Sequence, residues 1–155
     1  MNKVLVMSIL TFVSAVGFAY GGSGTVGVGN PAASFCEDVA KGTSVLVTTN
    51  RGQILLCELK GARVDQWTLY RELDLQINQK ALAVFMLHPK PNLTGTAEAA
   101  VRYCEQVNGV PKPGSTSTGN TVLCFFSDYS VIDAETLLRG PQAEENKMLV
   151  ELLNK

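Results

Sequence analysis

Charge is sparse in this chain and histidine nearly absent. Of 155 residues, 13 are Lys or Arg and 14 are Asp or Glu, without a basic run. The clustered cations that neutralise nucleic acid phosphates are therefore missing, which excludes nucleic acid as a partner. The one imidazole, His88, is flanked by Pro89, so a Ser or Cys nucleophile has no well-placed base. Neither Gly-x-Ser-x-Gly nor Ser-x-x-Lys occurs, and no catalytic residue is assigned. The four cysteines lack the close pairing of zinc ligands, so the sequence implies no metal and no cofactor. Nor is the chain short of apolar residues: 46% apolar against 17% charged excludes disorder and leaves a small globular protein.

Met1 to Ala19 carries one charge, Lys3, then an apolar stretch from Val4 to Val13, then Gly17-Phe18-Ala19 with small residues at −3 and −1 of a cleavage site. That pattern predicts a secretory signal over residues 1–19, too short in its apolar part for the roughly 20 residues that span a bilayer. Residues 20–29 follow as a Gly-rich tail. They hold a formal Gly22-x-Gly24-x-x-Gly27 match to the dinucleotide fingerprint, but no strand precedes it to aim the glycines at a pyrophosphate.

The rest reads as an internal duplication. A shift of 68 positions lays Phe35-Cys36-Glu37 on Tyr103-Cys104-Glu105, and Val64-Asp65 to Arg71 on Ile132-Asp133 to Arg139. Between these anchors a shift of 67 pairs Gly42 with Gly109, Gly52 with Gly119 and Cys57 with Cys124. The expected organisation is a first unit over 30–87, a linker over 88–97 containing Pro89 and Pro91, and a second unit over 98–155. Asn30 and Pro31 open a helix whose apolar stripe is Ala32, Phe35, Cys36, Val39 and Ala40, and Ala100, Tyr103, Cys104 and Val107 repeat it. Ser44–Thr49 and Gln53–Leu59 flank Asn50-Arg51-Gly52 as a hairpin. Thr121–Phe126 is its second-unit counterpart, while Pro111 and Pro113 predict a short, irregular or edge partner strand. Asp65 and Asp133 read as helix N-caps with Val64/Leu69 and Ile132/Leu137 as hydrophobic staples. Leu73 to Ile77 alternates like a strand, residues 79–87 are expected to be helical, and Pro141 opens a last helix facing inward through Met148, Leu149, Leu152 and Leu153. The predicted fold class is α+β, built as two pseudo-symmetric repeats, each helix, β-hairpin, helix, helix, around a shared core.

Four cysteines in an exported chain allow three disulfide pairings. An ancestral single unit had only its own two to join, which selects Cys36–Cys57 and Cys104–Cys124. Each closes a loop of roughly 20 residues, worth about 3 kcal/mol in the chain-entropy model.

Trp67 is the residue flagged for binding, because Glu135 occupies its place in the second unit and the position therefore tolerates charge. With Tyr70 and Arg71 it forms the candidate contact patch. Glu37 and Glu105 are the carboxylates a hydrolase would need, read here as solvated helix residues.

Asn30-Pro31-Ala32, Phe35-Cys36, Gly52, Leu56-Cys57, Val64-Asp65-Gln66-Trp67 and Tyr70-Arg71 together resemble a small exported bacterial family, domain of unknown function 333, whose members carry a haemolysin label. The second unit is similar in its Cys spacing and in Ile132-Asp133 to Arg139, but has no Asn-Pro-Ala start. The resemblance implies a periplasmic or secreted location in a Gram-negative envelope and supplies no activity. Direct lysis fits poorly, since the longest apolar run after the signal is Ala81 to Leu87. The expected function is an exported, disulfide-stapled, non-enzymatic module that binds a protein or envelope component. A membrane-active protein or a carboxylate-dependent hydrolase is the alternative.

Overall fold

The computed structural model describes residues 29–92 and 98–155. The expected signal, the Gly-rich tail before Gly29 and linker residues 93–97 lie outside the described residues. Helix α1 (Pro31–Ser34) continues as a π turn over Phe35–Val39 and leads to strands β1 (Thr43–Thr49), β2 (Gly52–Leu59) and β3 (Ala62–Asp65), then helices α2 (Gln66–Leu73) and α3 (Lys80–Leu87). The same order follows as α4 (Ala99–Gln106), β4 (Val110–Thr116), β5 (Gly119–Phe125), β6 (Val131–Asp133), α5 (Ala134–Arg139) and α6 (Lys147–Leu153).

The fold is thus mixed helix and strand with two disulfides, and its sheet is a closed antiparallel barrel in the order β1-β2-β3-β6-β5-β4. Two hairpins supply four strands, and their turns are held alike. Thr49 Oγ1 donates to the Gly52 carbonyl at 2.9 Å and accepts from Arg51 N at 3.2 Å. Thr116 Oγ1 donates to the Gly119 carbonyl at 3.0 Å and accepts from Thr118 N at 3.2 Å. Gly52 and Gly119 then adopt φ of 128° and 147°, which a side chain would resist. The barrel closes through short seams: Val64↔Ile132 joins β3 to β6, and Thr48↔Ser115 with Thr49↔Gly114 joins β1 to β4.

Helices cover the outside of the barrel, and their core draws on both halves of the chain, with Phe35, Val64 and Leu82 beside Tyr103, Ile132 and Leu149. Alternate strand residues Val47, Leu56, Leu123 and Val131 fill the inside. Cys36 bonds Cys57 and Cys104 bonds Cys124, with Cα separations of 5.6 and 5.7 Å, as the duplication argument expected. Gly42 and Gly109 make room for these bridges, since a Cβ at either would collide with the Sγ of Cys57 or of Cys124.

Four expectations are corrected. Val39 is 60% exposed instead of buried, because the π turn bonds Ala40 N to Phe35 O and brings residue 40, not 39, back over the core. The strand β4 is neither short nor irregular, although its prolines do lie on an open edge as expected: it pairs with β5 over seven positions from Val110↔Phe125 to Thr116↔Gly119 and meets β1 only at Gly114 and Ser115. Residues 111 and 113 send their amide positions to the same side, so the two prolines remove donors from one side only, the one away from β5. Leu73 to Ile77 is no strand. Leu73 ends α2, Gln76 takes a φ of 55°, and Ile77 N returns to Arg71 O at 2.8 Å. Pro141 lies in a turn, and the last helix starts after a 3-10 turn over Glu144–Asn146. As expected, Leu149 and Leu152 of that helix are buried, and residues 80–87 are helical.

The short strands β3 and β6 escaped the sequence reading, and they are where the halves lock together. Asp65 caps α2 by accepting from Thr68 N at 2.8 Å and Thr68 Oγ1 at 3.0 Å. Thr68 Oγ1 in turn accepts Val131 N of β6 at 2.9 Å. Asp133 caps α5 by accepting from Thr136 N at 2.9 Å, and Thr136 Oγ1 accepts Arg63 N of β3 at 3.0 Å. Each cap therefore satisfies an amide of the opposite half. The start of α3 is also closed from across the molecule, by Lys80 N to Asp128 Oδ2 at 2.7 Å and Ala81 N to Ser130 Oγ at 2.9 Å.

Candidate functional site

Trp67, Tyr70 and Arg71 share α2, a helix whose position follows from its Asp65 cap. Trp67 is 43% exposed, and its indole meets Tyr70 edge-on with ring centroids 5.9 Å apart. Tyr70 in turn meets the buried Phe35 edge-on at 5.7 Å, so the aromatic row is anchored in the core. A hydrogen bond to Asp74, aided by burial and the charge of that carboxylate, pushes the Tyr70 phenol above its ordinary value, so it stays a neutral donor. Arg71 Nε donates to the Trp67 carbonyl at 3.0 Å. The three sequence-predicted residues are thus brought together and held by packing and a backbone bond. Below them, burial pushes the Asp65 carboxyl above its ordinary value, against the opposing effect of the Thr68 bonds and the Arg71 charge.

The other candidates do not assemble. Glu37 is exposed and accepts from Ser44 Oγ at 2.6 Å, while Glu105 is an exposed residue of α4. The ring of His88 is bound to the Leu138 carbonyl through Nε2 at 3.0 Å and meets Tyr103 edge-on at 5.4 Å. A Cβ on Gly140 would strike that ring. The start of the linker is accordingly docked, with Tyr103 Oη donating to the Pro89 carbonyl at 2.8 Å. All four cysteines are in disulfides, and among the described residues no group of three or more His, Cys, Asp or Glu is placed to hold a metal.

Sequence reasoning missed a cleft of about 770 Å³ at one end of the barrel, lined by residues of the β1–β4 seam, of β3 and β5, and of α4 and α5. Its wall is polar, with Thr48, Ser115, Asn120 and Asp133 beside two guanidinium groups, Arg63 and Arg139. Arg139 Nη2 donates to the Gly61 carbonyl at 2.8 Å, and Arg63 Nε pairs with Glu58 at 2.9 Å. Asp133 is held by Thr121 Oγ1 at 2.6 Å as well as by its capping bonds. None of Trp67, Tyr70 and Arg71 lines it. The only sequence signal was the exchange of Trp67 for Glu135, since Glu135 stands at the cleft.

This geometry can be set beside known proteins. Residues 27–73 match the family described as Domain of unknown function (DUF333). The matched stretch covers α1 through α2, and with them the first disulfide and the residues Trp67, Tyr70 and Arg71. It spans less than a third of the chain and stops before α3. No curated protein and no solved structure matches.

Proposed function

We propose that the chain is an exported interaction module of the bacterial envelope, periplasmic or secreted, which binds a protein or envelope component through Trp67, Tyr70 and Arg71 and transforms nothing. Trp67 carries this reading: a large aromatic left 43% exposed, yet braced by a core-anchored aromatic row, has already lost the mobility that binding would otherwise freeze. Two disulfides suit an oxidising compartment, and among the described residues no helix is long and apolar enough to cross a membrane. The recurring order of elements, with matching hairpin turns and matching cap bonds, supports descent of both halves from one duplicated unit. Pull-down from envelope extract tests the patch: Trp67→Ala is expected to lose the partner while keeping the wild-type unfolding midpoint. Retention of the partner by that variant would remove the patch from the interface. Intact mass of the exported protein checks cleavage near Ala19, and a species keeping residues 1–19 would refute it. A second reading, favoured by the two guanidinium groups in the cleft, is a small polar ligand bound there. It predicts that Arg139→Gln, and not Trp67→Ala, abolishes binding.

A further inference from the structure

The seam between β1 and β4 leaves one strand edge open and the other closed. The two hairpins have the same register: Thr49↔Gly52 and Ser44↔Cys57 in the first stand where Thr116↔Gly119 and Pro111↔Cys124 stand in the second. Leu46↔Leu55 likewise occupies the place of Pro113↔Val122. The unbroken β4–β5 ladder requires that positions 111 and 113 point their main chain away from β5. The same argument turns the N–H and C=O of Ser44 and Leu46 away from β2, toward the gap. On β4 the corresponding donors, which lie past the other end of the seam, are deleted by proline, the usual protection of a sheet edge. On β1 they are intact. Among the described residues no strand pairs with β1 on this side before Thr48, and an opening of about 390 Å³ runs along Ser44, Leu46, Ser115 and Ser117. Leu46 is 46% exposed there.

We infer that the β1 edge at Ser44–Leu46 is a strand-addition site for an extended segment of a partner protein. Main-chain donors and acceptors spaced two residues apart are satisfied best by another extended backbone. The lining residues of the opening carry no charge, so the segment facing it is expected to present hydroxyl or small apolar side chains. The edge exposes too few residues for a second copy to bury the roughly 1,000 Å² or more that a stable dimer needs, which favours a slender peptide as occupant.

Random peptides displayed on phage and panned on the full chain provide the probe. Enriched peptides should show a period of two in their side-chain preference. Leu46→Pro, which gives β1 the residue β4 already carries, is expected to weaken them by about tenfold or more. Leu46→Ala keeps the amide and should stay within about threefold of wild type. N-methylation of alternate peptide amides should abolish binding to the wild-type chain while methylation of the intervening ones does not, a readout that stands even if Leu46→Pro fails to fold. Trp67→Ala should leave the peptides bound, which separates this edge from the aromatic patch. Failure to enrich any peptide, indifference to N-methylation, equal binding by a folded Leu46→Pro, or a wild-type dimer that Leu46→Pro dissolves would overturn the inference.

Discussion

Replacing Thr68 by Val should cost far more than the loss of one hydroxyl from a helix implies. Thr68 is fully buried, and its Oγ1 both donates to Asp65 and accepts the amide of Val131 from the other half of the chain. Valine keeps the shape and removes both bonds. The Val131 N–H, in a residue 5% exposed, is left unsatisfied at about 1–3 kcal/mol, and the lost bond to a carboxylate adds about 1.5–3 kcal/mol. The extra buried methyl returns about 0.8 kcal/mol. The net is about 2–5 kcal/mol, or roughly 5–15 °C in Tm for a chain of this size. Trp67 is the single tryptophan, so its emission, followed in urea with the disulfides intact and matched to far-UV circular dichroism, reports the transition. Thr68→Ser, which keeps the hydroxyl, should recover most of the loss. The pH dependence carries a sign. Asp65 already titrates above its ordinary value in the folded state, so its ionised form costs stability that is regained as pH falls through the folded pKa. Removing a donor raises that pKa further, so the Thr68→Val penalty should be largest near neutrality and shrink as pH falls through the two folded pKa values, which lie above the ordinary carboxylate value. A loss under about 1 kcal/mol, or a Ser variant as weak as the Val variant, would refute the role assigned to the hydroxyl.

Gly109→Ala should destabilise by at least about 1–3 kcal/mol or leave free thiols, because the new Cβ enters the space of the second disulfide; thiol titration and urea unfolding check this. Asp128→Ala removes the cap of α3 and should cost about 1 kcal/mol at pH 7. Burial pushes the Asp128 carboxyl up, but the bonds from Lys80 and Ser130 prevail and hold it below its ordinary value. Its contribution is therefore present above the usual carboxylate range and lost as pH falls through the folded pKa, so wild type and variant should converge in acid unfolding curves. Replacing Cys104 and Cys124 together by Ala should cost about 3 kcal/mol, read as a shift of the urea midpoint, and a shift near zero would contradict the loop-closure account. Residues 29–92 expressed alone should show no cooperative unfolding transition, since β3 has its second neighbour only in β6.

The sequence was legible where local chemistry decides the structure. Asn30 before Pro31, Asp65 and Asp133 each three residues before a Thr, and Asn50-Arg51-Gly52 all act within one turn of chain, and each stands where it was expected. The cysteine pairing was legible for a different reason, because a repeated spacing carries long-range information. What could not be read depended on distant partners. Strands of three and four residues give too few alternations to show a period, and β3 and β6 exist because each finds the other. The prolines of β4 looked disruptive because sequence does not say which side of a strand has a neighbour. Of the candidate site, the row of Trp67, Tyr70 and Arg71 on one helix was readable from spacing. The cleft was not, being made by strands and helices that lie far apart along the chain, from Thr48 of β1 to Arg139 of α5.

The exchange of caps between the halves also bears on the order in which the molecule can be completed. Synthesis delivers Cys36 and Cys57 early, and their bridge needs nothing further along the chain. The amide of Arg63, however, waits for Thr136, and the first turn of α3 waits for Asp128 and Ser130. Until the last third of the polypeptide arrives, the leading half is a cross-linked but unfinished intermediate with apolar surface at Val64 and Leu82 uncovered. A chain truncated between Cys57 and Thr136 could thus close its first disulfide while lacking the partners that complete β3 and α3, so covalent closure of the first half is no sign that it has folded.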